Sequence, residues 1–446
     1  VNATAPADLT IYDRLRWSAT ELEVLLASGA HRRELLAYFG TRDYRRLATL
    51  ARRAAALDGA ARRAAALDAA APGADGTRPR IYVIPGILGS ELGRPRPAPW
   101  PADLLWVDPL DIIAGRLTEL ELGAQPPLEP LSVLPPTYAP LQLALRAAGC
   151  DVVMHAYDWR RSIVATGREL GARLAADPAR EIHVIAHSMG GLLARVALAA
   201  APQARVVRLV TVGTPHAGSY APLQALRGTY PVVRRLAALD RRHDAETLAA
   251  SVFSSFPSLY EMLPTAAIGC ELDLFDPDNW PRGALAPRTE LLQAARSLAA
   301  ALAPLDERCV AIVGVGQRTV TGLARAGEEF AYQVSGDGDG TVPARSAAPA
   351  GVRCHYLRSE HSELLRSPTV ARALLELVRD GRTGVLRQSS ALPAQAPVRV
   401  TDGDLRALGT DKVDWQALAP EARRLYLQQL NLPPLQYRRR ARRRAP

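Results

Sequence analysis

The stretch EIHVIAHSMGGLLARVALAAA, residues 181–201, constrains the fold more than any other part of this chain. An apolar run short enough for a buried strand is followed by an alanine-rich run long enough for a helix. Only AHSMGG, 186–191, lies between them. A strand that becomes a helix in so few residues must turn sharply at Ser188, so the residues two before and two after it must be small. Ala186 and Gly190 fill those places. Such a turn pushes the Ser188 hydroxyl out of the backbone, where it is free to react.

The surrounding texture agrees. From residue 81, short apolar runs alternate with helical ones: IYVIPG at 81–86, DVVMHAYDW at 151–159 after LQLALRAAG, VVRLVTVGTP at 206–215, then CVAIVGVG and RCHYLRS. Continuous apolar strands with helical crossovers predict a mainly parallel sheet covered on both faces. Two long stretches interrupt the rhythm. One, about 93–140, is rich in proline and carries Trp100 and Trp106; the other, 219–305, reads as mostly helical around FSSFPSLYEMLP. Insertions this long predict a lid and a cap over a site. The main domain is then 78–386. Residues 1–77 read as a helical arm, in which ARRAAALD occurs twice, at 51–58 and 61–68. A ten-residue spacing is close to three helical turns. APGADGTRPR, 71–80, reads as a linker, and 387–446 as an extension.

Charge argues against nucleic acid. The net +10 is almost all arginine, with Lys412 the only lysine, and six arginines stand together as Arg438, Arg439, Arg440, Arg442, Arg443 and Arg444. Without that run the chain is near +4, so no nucleic-acid partner is expected. The tail reads as a solvated end, with a peripheral lipid surface as the other partner its charge would suit. No uncharged apolar run reaches the eighteen residues of a membrane span. The chain starts at Val1, and its sequence leaves compartment and oligomeric state open. Cys150, Cys270, Cys309 and Cys354 lack CxxC spacing; a Cys309–Cys354 disulfide and free thiols are equally open. With no His or carboxylate cluster at ligand spacing, neither metal nor cofactor is expected.

A serine nucleophile needs a base to take its proton and an acid to orient that base. On a strand-turn-helix nucleophile both follow the serine, acid first, at later strand ends. GDGDGTVP, 336–343, supplies the acid, and Asp339 is preferred to Asp337. A calcium loop starting at Asp337 would put Ala348 where glutamate is required, so that reading fails. His361 in SEHSELL follows the strand RCHYLRS and is the one histidine past Asp339 at a strand-to-helix junction. His355 lies within that strand, His216 precedes the acid, and His187 points away from its neighbour on the turn. The oxyanion hole needs two backbone N–H groups. Met189 offers one, and Ile87 in PGILGS, 85–90, the other, with Leu88 next. The fold class is therefore α/β, with an α/β-hydrolase sheet.

VIPGILGSEL, YDWR at 157–160, HSMGG with GTPHAGS after it, and DGDGTVP followed by EHSELL stand in an order that resembles the lecithin:cholesterol acyltransferase family. The resemblance covers about 80–380. It implies an acyl-serine intermediate, a lipid-like ester substrate, Ser188, Asp339 and His361 as triad, Ile87 and Met189 as oxyanion donors, and a structural role for YDWR. Ala186 departs from the usual glycine, and the cysteines of the family's short lid are missing, so specificity transfers weakly. The expected activity is hydrolysis of hydrophobic carboxylic esters, as by a lipase, esterase or phospholipase. Acyl transfer to an alcohol is the first alternative, and a non-catalytic lipid- or partner-binding protein the second.

Overall fold

The computed structural model describes residues 17–67, 78–97, 100, 102–283, 285–390, 396–408, 411–428 and 430. Its strands are, in order, β1 (Arg80–Ile84), β2 (Ser90–Arg94), β3 (Asp103–Trp106), β4 (Glu129–Val133), β5 (Asp151–Met154), β6 (Ile182–His187), β7 (Val206–Val212), β8 (Cys309–Val315), β9 (Thr319–Ala326), β10 (Glu329–Ser335), β11 (Arg353–Arg358) and β12 (Val398–Thr401). Six of them form one sheet in the order β11-β8-β7-β6-β1-β5, with every pair parallel.

Alternate residues of these strands face opposite sides. Tyr82, Ile84, Val184 and Ala186 pack under helices Ile163–Ala176 and Met189–Ala200. Ile81, Val83, Val210 and Ile312 pack under helices Pro135–Ala147 and Pro368–Asp380. Both faces are covered, so the strands are apolar along their whole length.

The strand order places the site. From β1 the chain goes outward to β5, then crosses back to β6 on the other side of β1. At such a reversal the loops leaving adjacent strands diverge and open a crevice beyond the carboxyl ends. PGILGS leaves β1 and HSMGG leaves β6 at that crevice. This is the α/β-hydrolase arrangement.

The interruptions are more built-in than their composition suggests. Within 93–140 the chain forms β3 and β4, which flank β2 in a small antiparallel sheet. Helix Pro135–Ala147 starts six residues before the helical run read from LQLALRAAG, because prolines 135 and 136 stand in its first turn, where no N–H is needed. The 219–305 segment buries Tyr220, Leu236, Phe256 and Tyr260 in the same apolar cluster as the sheet.

Helices Ala19–Ser28, Arg32–Phe39 and Thr41–Leu67 form the arm, and the first ARRAAALD copy lies in the third. Leu22, Leu35 and Leu47 pack with Leu143 of helix Pro135–Ala147, and Arg146 binds Glu23 at 2.8 Å and Asp58 at 2.7 Å. The linker's final residue, Arg80, already belongs to β1. The extension returns β12 to pair with β10.

Side chains of the second ARRAAALD copy and the arginine run 438–444 lie outside the described residues. The four cysteines are free, and Cys354 sits opposite Ala311 rather than Cys309. Among the described residues no helix is long and apolar enough to cross a membrane, and no three metal-ligating side chains gather.

Candidate active site

Ser188 leaves β6 and caps helix Met189–Ala200 at φ 53 and ψ −127, a region that costs a non-glycine residue about 1–3 kcal/mol. Two backbone bonds hold it there: Ser188 N–H to Val212 O at 2.9 Å, and Gly191 N–H to Ser188 O at 3.0 Å. The small neighbours are required by contact. A Cβ on Gly190 would lie 2.5 Å from Pro85 O, and one on Gly86 would lie 2.8 Å from Ser188 Cβ. Ala186, fully buried, fits its methyl into the core.

Asp339 and His361 come together beyond β10 and β11. Asp339 Oδ2 accepts from His361 Nδ1 at 2.7 Å, while its Oδ1 accepts from Thr341 N–H at 3.0 Å and Val342 N–H at 2.7 Å. His361 N–H donates to Asp339 O at 2.8 Å, tying the two loops together. A proton on Nδ1 leaves Nε2 as an acceptor. Asp337 is exposed and takes no part in the pair. Gly213, in GTPHAGS at φ 59, is a site residue that the sequence reading passed over. A Cβ there would fall 3.1 Å from both Asp339 Oδ2 and His361 Nδ1.

Ser188 and His361 line one cavity of about 190 Å³. The Ser188 hydroxyl makes no hydrogen bond within the described residues and faces that space. A second, largely apolar cavity of about 60 Å³ shares Ser188, Ile87, Leu88, Tyr230 and Thr341 with the first and extends to Pro222, Phe253 and Leu259.

PGILGS forms a turn closed by Gly89 N–H to Gly86 O at 3.1 Å, with Leu88 at φ 63 in a place glycine usually takes. Neither Ile87 N–H nor Met189 N–H has a hydrogen-bond partner among the described residues. YDWR braces this turn. Tyr157 Oη donates to Pro85 O at 2.8 Å, Trp159 Nε1 donates to Ser90 O at 3.0 Å, and Arg160 pairs with Asp158 in the interior.

Tyr138 and His187 also meet the site. Gly86 N–H donates to Tyr138 Oη at 3.0 Å, and Tyr138 Oη lies 3.0 Å from His187 Nδ1. His187 Nε2 faces His361 O at 3.4 Å, and the two imidazoles are 4.9 Å apart. Burial, reinforced by His361, pushes the His187 imidazole down to about 3, so it is neutral at ordinary pH. His355 lies buried within β11, and His216 Nε2 contacts Thr211 Oγ1 at 3.2 Å.

A family model described as a PGAP1-like alpha/beta domain matches residues 164–313, less than half of the chain. It is not the family that the motifs resemble. No curated protein matches the sequence. Among solved structures, Bacillus licheniformis lipase BlEst2 in its propeptide form is similar at 15% identity and TM-score 0.37, over 71% of this chain and 53% of that one. The chain thus spans about half of that protein. Its mature form is similar at 13% identity and TM-score 0.36, over 69% and 96%. A chain of the Tle4–Tli4 complex gives 14% identity and TM-score 0.41, over 68% and 98%.

Proposed function

We propose that this protein is a serine hydrolase of carboxylic esters with hydrophobic acyl groups, working as the lecithin:cholesterol acyltransferase-like motifs imply. One observation carries the reading: Asp339 holds His361 at 2.7 Å, and His361 shares a cavity with a serine held at φ 53.

The steps follow from the donors and acceptors. As Ser188 Oγ bonds to the ester carbon, its proton passes to His361 Nε2, and the Asp339 carboxylate stabilises the imidazolium. The carbonyl oxygen becomes an oxyanion that receives the Ile87 and Met189 N–H groups. Collapse breaks the bond to the alcohol, which leaves with the proton from Nε2. Water then attacks the acyl-serine, gives its proton to Nε2, and the acid departs as Ser188 recovers its hydrogen. The apolar lining suits an acyl chain. An alcohol in place of water would turn hydrolysis into transfer, and the second cavity at Ser188 favours that as the alternative.

Ser188→Ala should lower hydrolysis of a medium-chain nitrophenyl ester by roughly 10⁴-fold or more. Equal rates would remove the reading. A chain-length series run with and without an added alcohol would separate hydrolysis from transfer.

A further inference from the structure

Glu91 is a buried acid that ester chemistry at Ser188 does not use. It stands on β2, two residues past Gly89, at 7% exposure. Its strand neighbours have clear places: Ser90 Oγ accepts from Tyr157 N–H at 3.1 Å, and Leu92 lies in the apolar core. Glu91 instead lines the Ser188 cavity, and its carboxyl has neither a hydrogen bond nor an ion pair among the described residues. Arg366 in the same lining is held by Glu363 at 2.7 Å. The charge that does act on Glu91 is the like charge of Glu21, on helix Ala19–Ser28. Burial first, and Glu21 second, push the Glu91 carboxyl up to about 8.

An acid taken from water without a partner is unfavourable, and a cation that enters beside it relieves the cost. Of the aromatic side chains that line this cavity, Tyr230 is shared with the second one, while Tyr38, Trp106 and Tyr138 line the first alone. A carboxylate and aromatic rings in one cavity are a donor set for a compact organic cation, which gains from both the charge and the ring quadrupoles. A hydroxyl would gain only one hydrogen bond. We propose that Glu91 and these rings form a subsite for an alkylammonium group, so that the ester cleaved at Ser188 carries an amine away from its scissile carbonyl. This rests on Ser188 being the nucleophile.

The test compares three esters of one acid: the 2-(trimethylammonio)ethyl ester, its neutral 3,3-dimethylbutyl isostere, and a hydroxyalkyl ester of similar size. Wild type should favour the ammonium ester over the isostere by ~10-fold or more in kcat/KM, and Glu91→Gln should bring the ratio near one through KM. Because the carboxylate form is needed, the preference should grow as pH rises from about 6 to 9, while KM for the neutral ester does not follow. Among the described residues the other ionisable groups near this cavity include Glu21, Arg366, His187, His361 and the phenols of Tyr38, Tyr138 and Tyr230, and the neutral ester controls for them. Isosteres treated alike, a preference that survives Glu91→Gln, or a preference for the hydroxyalkyl ester would each overturn the subsite. Calorimetric binding of tetramethylammonium, wild type against Glu91→Gln, reads the subsite without turnover; equal affinity, or no binding to wild type, would also overturn it. Loss of all Ser188-dependent hydrolysis would sink the proposed function instead, and the calorimetry would still decide the subsite.

Discussion

Tyr138 and His187 give the PGILGS turn a support that no local motif announces. Burial pushes the Tyr138 phenol up, so it keeps its proton and donates to His187 Nδ1 while accepting from Gly86 N–H. That leaves the His187 hydrogen on Nε2, directed at His361 O. Tyr138→Phe should lower kcat about tenfold with KM little changed, the effect of one lost bond to a buried N–H. His187 has a lowered pKa, so its neutral form persists at every pH well above 3. The loss should therefore be the same at pH 5 and pH 9, and a loss that varied across that range would refute a neutral relay. Ser188, Asp339 and His361, the proposed triad, could be picked out as candidates in sequence because each sits in a short motif at a strand end. Gly213, Tyr138 and Glu91 could not, because what they touch is brought by distant segments: Tyr138 meets Gly86 across 52 positions.

Among the elements, strand and helix periodicity marked the parallel sheet well, since burial on both faces writes long apolar runs into the sequence. The small antiparallel sheets left weaker marks. β12 has four residues, lies in a stretch that reads as an extension, and finds β10 only in the folded chain. Just after it, fully buried Asp402 accepts from Arg227 Nε at 3.0 Å and from Tyr332 Oη at 2.6 Å, pinning the extension to the 219–305 segment. Asp402→Ala would leave the Arg227 guanidinium buried without its carboxylate. A loss of about 3–5 kcal/mol is expected in urea unfolding; a loss below about 1 kcal/mol would show that the extension is not anchored there.

For the whole molecule, the two ends of the described chain meet at the site. Tyr38 from the arm and Leu427 and Leu430 from the extension line the Ser188 cavity together with β2 and His361. Removing bulk from that wall, in Leu427→Ala, should move the best acyl length upward, with each newly buried methylene adding about 0.8 kcal/mol of binding. An unmoved optimum would mean that acyl chains run toward Phe253 and Leu259 instead. The sequence alone determined the parallel sheet and the turn at Ser188, and it offered Asp339 and His361 in order as candidate partners, because strand period and turn sterics are local constraints on residue type. Tertiary structure decided which remote side chains surround that serine. A cavity is made of surfaces that touch only after the sheet, arm and extension have packed, and no spacing along the chain encodes that contact.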